Sequence, residues 1–287
     1  MHKIKEYYKL TKPGIIRGNL LTAAGGFFLA SKGHIDPWLL LATLAGTSIV
    51  IASACVFNNV LDRKIDIAME RTKDRALVSG AISVRNAMLF ASFLGVLGII
   101  TLAAFTNILT VTIGIIGFIS YVFIYGYAKR KSVHGTLIGT VSGATPIVAG
   151  YCAVTNRFDL GAALLFLILV FWQMAHFFGI AMYRHDDYAA AKIPVLSVVK
   201  GMYRTKIQTI LYGLGFIIST LLLSIFGYTG ITFAIVMTVV GGYWVFLGAK
   251  NWHSLEDDSK WGKKMFLFSL VVIFTLSVML AVDALLP

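Results

Sequence analysis

The feature that most limits what this chain can fold into is a succession of apolar stretches, each about twenty residues long, running almost from end to end. They fall near residues 14–31, 38–58, 86–104, 108–127, 135–153, 160–182, 207–226, 229–249 and 264–284. About 20 apolar residues in a helix cross a hydrocarbon layer of roughly 30 Å, so each stretch is a candidate membrane span. A transmembrane β-barrel would need shorter segments of alternating polarity instead. With 58% hydrophobic residues over 287 positions, the expectation is an all-α polytopic membrane protein: nine transmembrane helices around a central cavity, forming a single domain over residues 1–287.

The net charge of +12 does not indicate a nucleic-acid partner, because the basic residues follow the topology. Of the 25 Lys and Arg, only Lys32 and Arg157 lie in connections on one side of the expected bundle; the rest lie in the N-terminal stretch and in alternate loops. That asymmetry puts the N-terminus and the charged loops in the cytoplasm and, with nine spans, the C-terminus outside. The start of the chain lacks the pattern of a cleaved signal peptide or of an Arg- and Ser-rich presequence, so a bacterial inner (plasma) membrane is expected. Cys55 and Cys152 sit inside apolar spans without a C-x-x-C pair and read as packing thiols.

Against this background Asn58–Arg75, NNVLDRKIDIAMERTKDR, stands out. It continues directly from an apolar helix and concentrates acids and bases in a chain that is only 13% charged. Asn58, Asp62 and Asp66 recur every fourth residue and would share one helix face. Such a row of hard oxygen atoms suits Mg²⁺, which takes a few carboxylates and leaves its other positions to phosphate oxygens. Arg71, Lys73 and Arg75 follow within reach of the same anion. A solvated helical stub with ordinary i,i+4 pairs is the competing reading.

The sixth span, FWQMAHFFGIAMYRHDDY, buries Gln173 and His176 in an apolar run, where polar groups usually face an interior cavity. It then delivers Arg184, Asp186 and Asp187 to the side that receives the first acids. Asp66 precedes Gly80, and Asp187 precedes Gly201, by the same interval, a faint echo of two pseudo-repeated halves. Lys129 and Arg130 flank the fourth span, either as ordinary basic flank or as anion-binding groups. Tyr121, Tyr125 and Tyr127 read as a headgroup-level belt. Lys206, Lys250, Trp244, Trp252 and Trp261 read as interface anchors, and the loop 250–264 as a solvated turn. Small residues at 135, 139, 143 and 150 read as close helix packing. Arg17 and Asn19 either snorkel or face a polar cavity.

Acids and bases at one mouth of an apolar cavity suit a diphosphate ester of a lipid. Cations neutralise the leaving group while the tail lies between the helices. A transporter would instead be expected to carry charged groups near mid-bilayer in several spans.

NNVLDRKIDIAMERTKDRAL resembles the first aspartate-rich motif of the UbiA-type intramembrane prenyltransferases. Together with TKPGII, KRKSVHGTLIGTVSGATP, FWQMAHFFGIAMYRHDDY and IPVLSVVKG, it resembles the haem-farnesylating branch of that superfamily. The resemblance covers nearly the whole chain. It implies nine helices around a cavity, transfer of a farnesyl group from farnesyl diphosphate with water to the 2-vinyl group of haem b, and Mg²⁺ as cofactor. Asp62 and Asp66 match the first metal-binding acids, with Asn58 beside them, and Asp187 matches an acid of the second motif. Tyr183 and Ala191 stand where that D-x-x-x-D motif would place a further acid, and Asp186, on a helix, points about 100° away. Arg71, Arg75, Lys129 and Arg130 are the candidates for the diphosphate, and Arg184 is a further substrate-binding candidate. Gln173 and His176 are the haem-side candidates, His176 as iron ligand or water-orienting group. The other reading kept within the superfamily is an acceptor that is an aromatic acid or quinone precursor. Haem A synthase or a terminal oxidase is the candidate protein partner; the lipid bilayer is the surroundings.

Overall fold

The computed structural model describes residues 2–70, 72–250 and 257–286, and these form helices and connecting loops with no strand. A short α1 (His2–Leu10) precedes α2 (Pro13–Ser31) and the long α3 (Pro37–Asp66). After an irregular loop come α4 (Val84–Phe105) and α5 (Ile108–Ile119). The latter continues through a π-helical turn, Ser120–Tyr125, into α6 (Gly126–Lys131). Next are α7 (Gly135–Thr155), α8 (Leu160–Tyr183), and the short α9 (His185–Ala190) and α10 (Leu196–Lys200). The chain ends with α11 (Met202–Ile225), α12 (Ile231–Ala249) and α13 (Asp258–Val282).

Each expected span coincides with a helix. Among the described residues eight helices are long and apolar enough to cross a membrane, counting α5 through α6 as one. The ninth, α2, is as long as α12, but its apolar run is diluted by Arg17, Asn19 and a series of small residues. The count of nine spans therefore rests on α2, which does not meet the composition that the other eight meet.

Turn chemistry sets several helix starts. Asp36 accepts from the backbone N–H groups of Trp38 and Leu39, with Pro37 at the first helical position, where its missing donor costs nothing. Asn107 accepts from the Thr110 N–H while its own amide donates to the Cys152 and Ala153 carbonyls, tying the start of α5 to the end of α7. Asp159 caps α8 and receives the Tyr151 hydroxyl at 3.0 Å.

Helices α2, α7, α8 and α13 close a ring, since α2 packs on α7, α7 on α8, α8 on α13 and α13 back on α2. Lipid tails are as apolar as the side chains, so close backbone approach contributes more than water exclusion here. A Cβ at Gly26 would run into the Ile147 carbonyl, and one at Gly150 into the Ala23 carbonyl, so these two glycines let α2 and α7 touch backbone to backbone. Helix α8 is the most buried of the spans, with Leu165, Ile168, Leu169, Ala175 and Met182 at most 1% exposed, although Leu160, Leu167 and Phe177 are exposed. Helix α4 packs on α3 and turns Phe93, Val96 and Ile100 outward, as a lipid-facing helix does.

Three interface assignments are corrected. Trp244 is wholly buried and Trp261 nearly so, their indole N–H groups bonded to the carbonyls of Met265 and Gly248. Lys206 is 2% exposed and pairs with Asp258 at 2.6 Å. These residues knit α11, α12 and α13 together; being near span ends, they look in sequence like headgroup anchors. Lys250 is exposed, whereas Trp252 and Glu256 lie outside the described residues. The expected solvated turn over 250–264 is replaced from Asp258 onward by the first turns of α13.

Candidate active site

A chamber of about 900 Å³ lies between α2, α3, α5, α7, α8 and α13. Its body is apolar, with Val50, Ile51, Phe118, Pro146, Leu270 and Ile273 on the wall. Its mouth, where α3 ends and α9 begins, carries the charges: Asp62, Asp66 and Asp187 face it together with Lys12, Arg75, Lys129 and Arg184.

Helix α3 stays helical through Asp66, so Asn58, Asp62 and Asp66 share the chamber-lining face, as their spacing requires. All three are buried, at 2%, 8% and 5% exposure. Each holds a cation from another part of the chain. Asp62 pairs with Lys129 through one oxygen and with Arg130 at 3.1 Å through the other. Asp66 takes Arg75 at 2.7 Å. Asn58 accepts from the Lys12 ammonium at 2.9 Å, while its buried Nδ2 has no partner. Behind this row Asn59 donates to the Leu10 carbonyl at 2.8 Å and accepts from Arg75 at 3.3 Å, so it fastens α1 and the loop to α3.

Lys12 was not anticipated from sequence. It sits in a left-handed turn (φ 53°) between α1 and α2, a costly conformation for a residue with a Cβ, and that turn brings its ammonium to the chamber. Burial pushes the ammonium pKa down to about 8; the nearby Cys55 and Asp62 act the other way, and Arg75 and Lys129 add to the lowering. The signal available in sequence was TKPG, a lysine directly before a proline that opens a helix.

The π-helical turn corrects a second expectation. Within it Tyr121 and Tyr125 stack at 5.7 Å between ring centroids, and both line the chamber. Of the presumed belt only Tyr127 faces outward. The small residues of α7 also do more than pack helices. A Cβ at Gly139 would strike the Tyr125 ring, and one at Gly143 the Gln173 amide, so these glycines make room for side chains of the chamber wall.

On α8, Gln173 and His176 are buried and line the chamber, Gln173 donating to the Leu169 and Thr140 carbonyls. Below them Arg184 lies over the Tyr183 ring at 4.5 Å, and both residues face the chamber. Asp187 faces it as well, whereas Asp186 is exposed and lies off the wall, as helical spacing requires. Arg130 reaches Asp62 from behind the wall, Asn19 faces the chamber, and Arg17 is exposed. Arg71 lies outside the described residues.

Among the described residues no three acids, histidines or cysteines converge closely enough to cage a metal by themselves. The donor set nevertheless fits Mg²⁺, which is held by one or two carboxylates plus substrate phosphate rather than by an all-protein cage.

The sequence pattern of the UbiA prenyltransferase family matches residues 19–270. The chain belongs to the UbiA prenyltransferase family. It is thus a transferase and a multi-pass membrane protein. It is similar to Protoheme IX farnesyltransferase 2 of Pseudomonas putida (strain W619), 51% identical over 282 residues, covering 98% of this chain and 95% of that one. Its likeness to Protoheme IX farnesyltransferase of Photorhabdus laumondii is also 51%, over 285 residues, covering 99% and 97%. Among solved structures, one of a digeranylgeranylglyceryl phosphate synthase matches with TM-score 0.77 at 21% identity, covering 98% of this chain and 99% of that one. A UbiA homologue from Archaeoglobus fulgidus bound to GPP and Mg²⁺ matches with TM-score 0.73 at 15% identity, covering 96% and 99%. The UbiA fold of this chain thus accords with its helical ring and central chamber.

Proposed function

We propose that this protein is a Mg²⁺-dependent, diphosphate-releasing protohaem IX farnesyltransferase, converting haem b to haem O within one domain spanning residues 1–287. The observation that carries this reading is the continuity of one chamber from a charged mouth to an apolar body. Half-identity over nearly the whole chain to proteins named protoheme IX farnesyltransferase supports the choice of acceptor.

In this reading Asp62, Asp66 and Asp187 would be the carboxylates at the mouth that hold Mg²⁺ together with the substrate's phosphate oxygens, one or two of them on any one ion, with Asn58 beside them. The ion would supply charge neutralisation for the departing diphosphate. Lys12, Arg71, Arg75, Lys129 and Arg184 take the remaining anionic oxygens, and Arg130, expected from sequence to join them, instead holds Asp62 from behind the wall. When diphosphate binds, its charge competes for Lys129 and Arg75, which now pair with Asp62 and Asp66. The farnesyl tail lies along the apolar wall, which keeps water from the allylic cation formed when the carbon–oxygen bond breaks. The terminal carbon of the 2-vinyl group forms the new carbon–carbon bond. The positive charge passes to the vinyl carbon on the ring, and water adds there and releases a proton. The products are a hydroxyethylfarnesyl haem and diphosphate. Gln173 and His176 face the haem.

The N-terminus lies in the cytoplasm and the C-terminus outside a bacterial inner membrane, and haem A synthase or a terminal oxidase is the class of partner that would take the product. Purified protein supplied with farnesyl diphosphate and Mg²⁺ tests the proposal. It predicts farnesylation of haem b and none of 4-hydroxybenzoate; prenylation of the aromatic acid alone would replace it with the quinone-precursor reading.

A further inference from the structure

The two ring nitrogens of His176 have different surroundings. Nδ1 lies 2.6 Å from the Ser269 hydroxyl oxygen of α13, and that oxygen lies 2.6 Å from the Phe266 carbonyl. A serine hydroxyl has one hydrogen, and a carbonyl can only accept. The hydrogen therefore goes to Phe266, and the Ser269 oxygen is left to accept from Nδ1–H. The network assigns the Nδ1–H tautomer, which leaves the lone pair on Nε2. His176 is 8% exposed and lines the chamber, and Nε2 has no hydrogen bond among the described residues.

The ring is also held against rotation. Trp172 stacks on it at 4.6 Å between centroids, and Phe266 tilts against it at 5.2 Å. The Trp172 indole N–H is bonded to the Ser269 carbonyl at 2.9 Å. One residue of α13 thus fixes both the imidazole and the indole lying on it. A buried lone pair held in this way without a protein hydrogen bond costs free energy unless something in the chamber uses it.

We propose that Ser269 is a positioning residue that holds His176 with Nε2 presented as an axial ligand to the iron of a porphyrin in the chamber. The choice of iron porphyrin rests on the function proposed above. The arrangement is the metal-site pattern in which the second ring nitrogen of a ligating histidine donates to a fixed acceptor.

The test uses full-length protein in lipid nanodiscs, titrated with haem b and, in parallel, with metal-free protoporphyrin IX. Wild type is expected to give the absorption and electron-paramagnetic spectra of imidazole-ligated iron. His176→Ala should lose that signature and regain it with added imidazole. His176→Met, closer in bulk, should replace it with a thioether-ligated spectrum. Ser269→Ala should weaken haem binding about 10- to 100-fold, the scale for losing a group that orients a metal ligand. Ser269→Thr, which keeps the hydroxyl, should restore it. Metal-free porphyrin should bind all variants equally. An unchanged imidazole spectrum in the His176 variants overturns the inference. So does a Ser269→Ala effect that is equally large for metal-free porphyrin, since that reports cavity shape. Farnesylated product with no histidine ligation sinks this inference alone, whereas histidine-ligated haem with no farnesylated product sinks only the proposed function.

Discussion

Two cations from the end of α6 converge on the single carboxylate of Asp62, and a third, Arg75, is held by Asp66 one turn on. Such a mouth is electrostatically prepared for an anion that brings its own divalent ion. Removing one group that stabilises developing charge costs about 10²-fold or more in rate, so Asp62→Ala should lower kcat by at least that factor. Near-normal turnover in a steady-state assay would contradict its role. Lys12→Ala should raise KM for farnesyl diphosphate by roughly 10-fold, on the scale of one charge-assisted hydrogen bond, and leave haem affinity unchanged; titrating each substrate separately checks this. The acids were legible because a four-residue interval on a helix has one geometric outcome. Lys12 was not, because a lysine before a proline marks where a helix starts but not that the turn there is left-handed and aims the side chain into the chamber. Trp244 and Trp261 were misplaced for a related reason: a tryptophan near a span end has the same sequence signature whether the bundle turns it toward headgroups or toward a neighbouring helix.

Among the elements, α7 does the most with small residues. Through Gly150 it meets α2, and through Gly139 and Gly143 it admits Tyr125 and Gln173 to the chamber wall. The reading of these positions as close packing was correct for Gly150, but which partner fills the space at Gly143 is a property of the assembled bundle. Gly150→Ala forces a methyl against the Ala23 backbone, and overpacking of this kind costs about 1–3 kcal/mol. Thermal unfolding in detergent should show a lowered Tm for it, while Gly242→Ala, with nothing near its added Cβ, should leave Tm in place. The two loops that carry acids close alike: Gly80 and Gly201 have φ of 78° and 83° and stand just ahead of α4 and α11. The echo in sequence therefore has a counterpart in backbone conformation. The π-helical turn has no such sequence mark, and with it the direction of Tyr121 and Tyr125 stayed hidden.

For the whole molecule, hydropathy was enough to place every long helix, because a chain in lipid has to satisfy its backbone within helices. Only α2 falls short of the apolar composition of the other eight, since a helix built for backbone contact gives up the bulk that marks a span. The proposed cytoplasmic placement of the charged mouth predicts that cysteines introduced at exposed positions of the loop after α3 react with membrane-impermeant reagents only in inverted vesicles. Labelling from the periplasmic side would reverse the orientation. Chelation of divalent ions should abolish turnover and Mg²⁺ should restore it, as measured by diphosphate release. The central claim is that the charged mouth and the apolar body act on one substrate pair. Mass spectrometry of haem extracted from cells expressing the wild-type chain or Asp62→Ala tests it most directly. The prediction is haem heavier by one farnesyl group and one water with the wild type and unmodified haem b with the variant; unmodified haem from both, or modified haem from both, would contradict it.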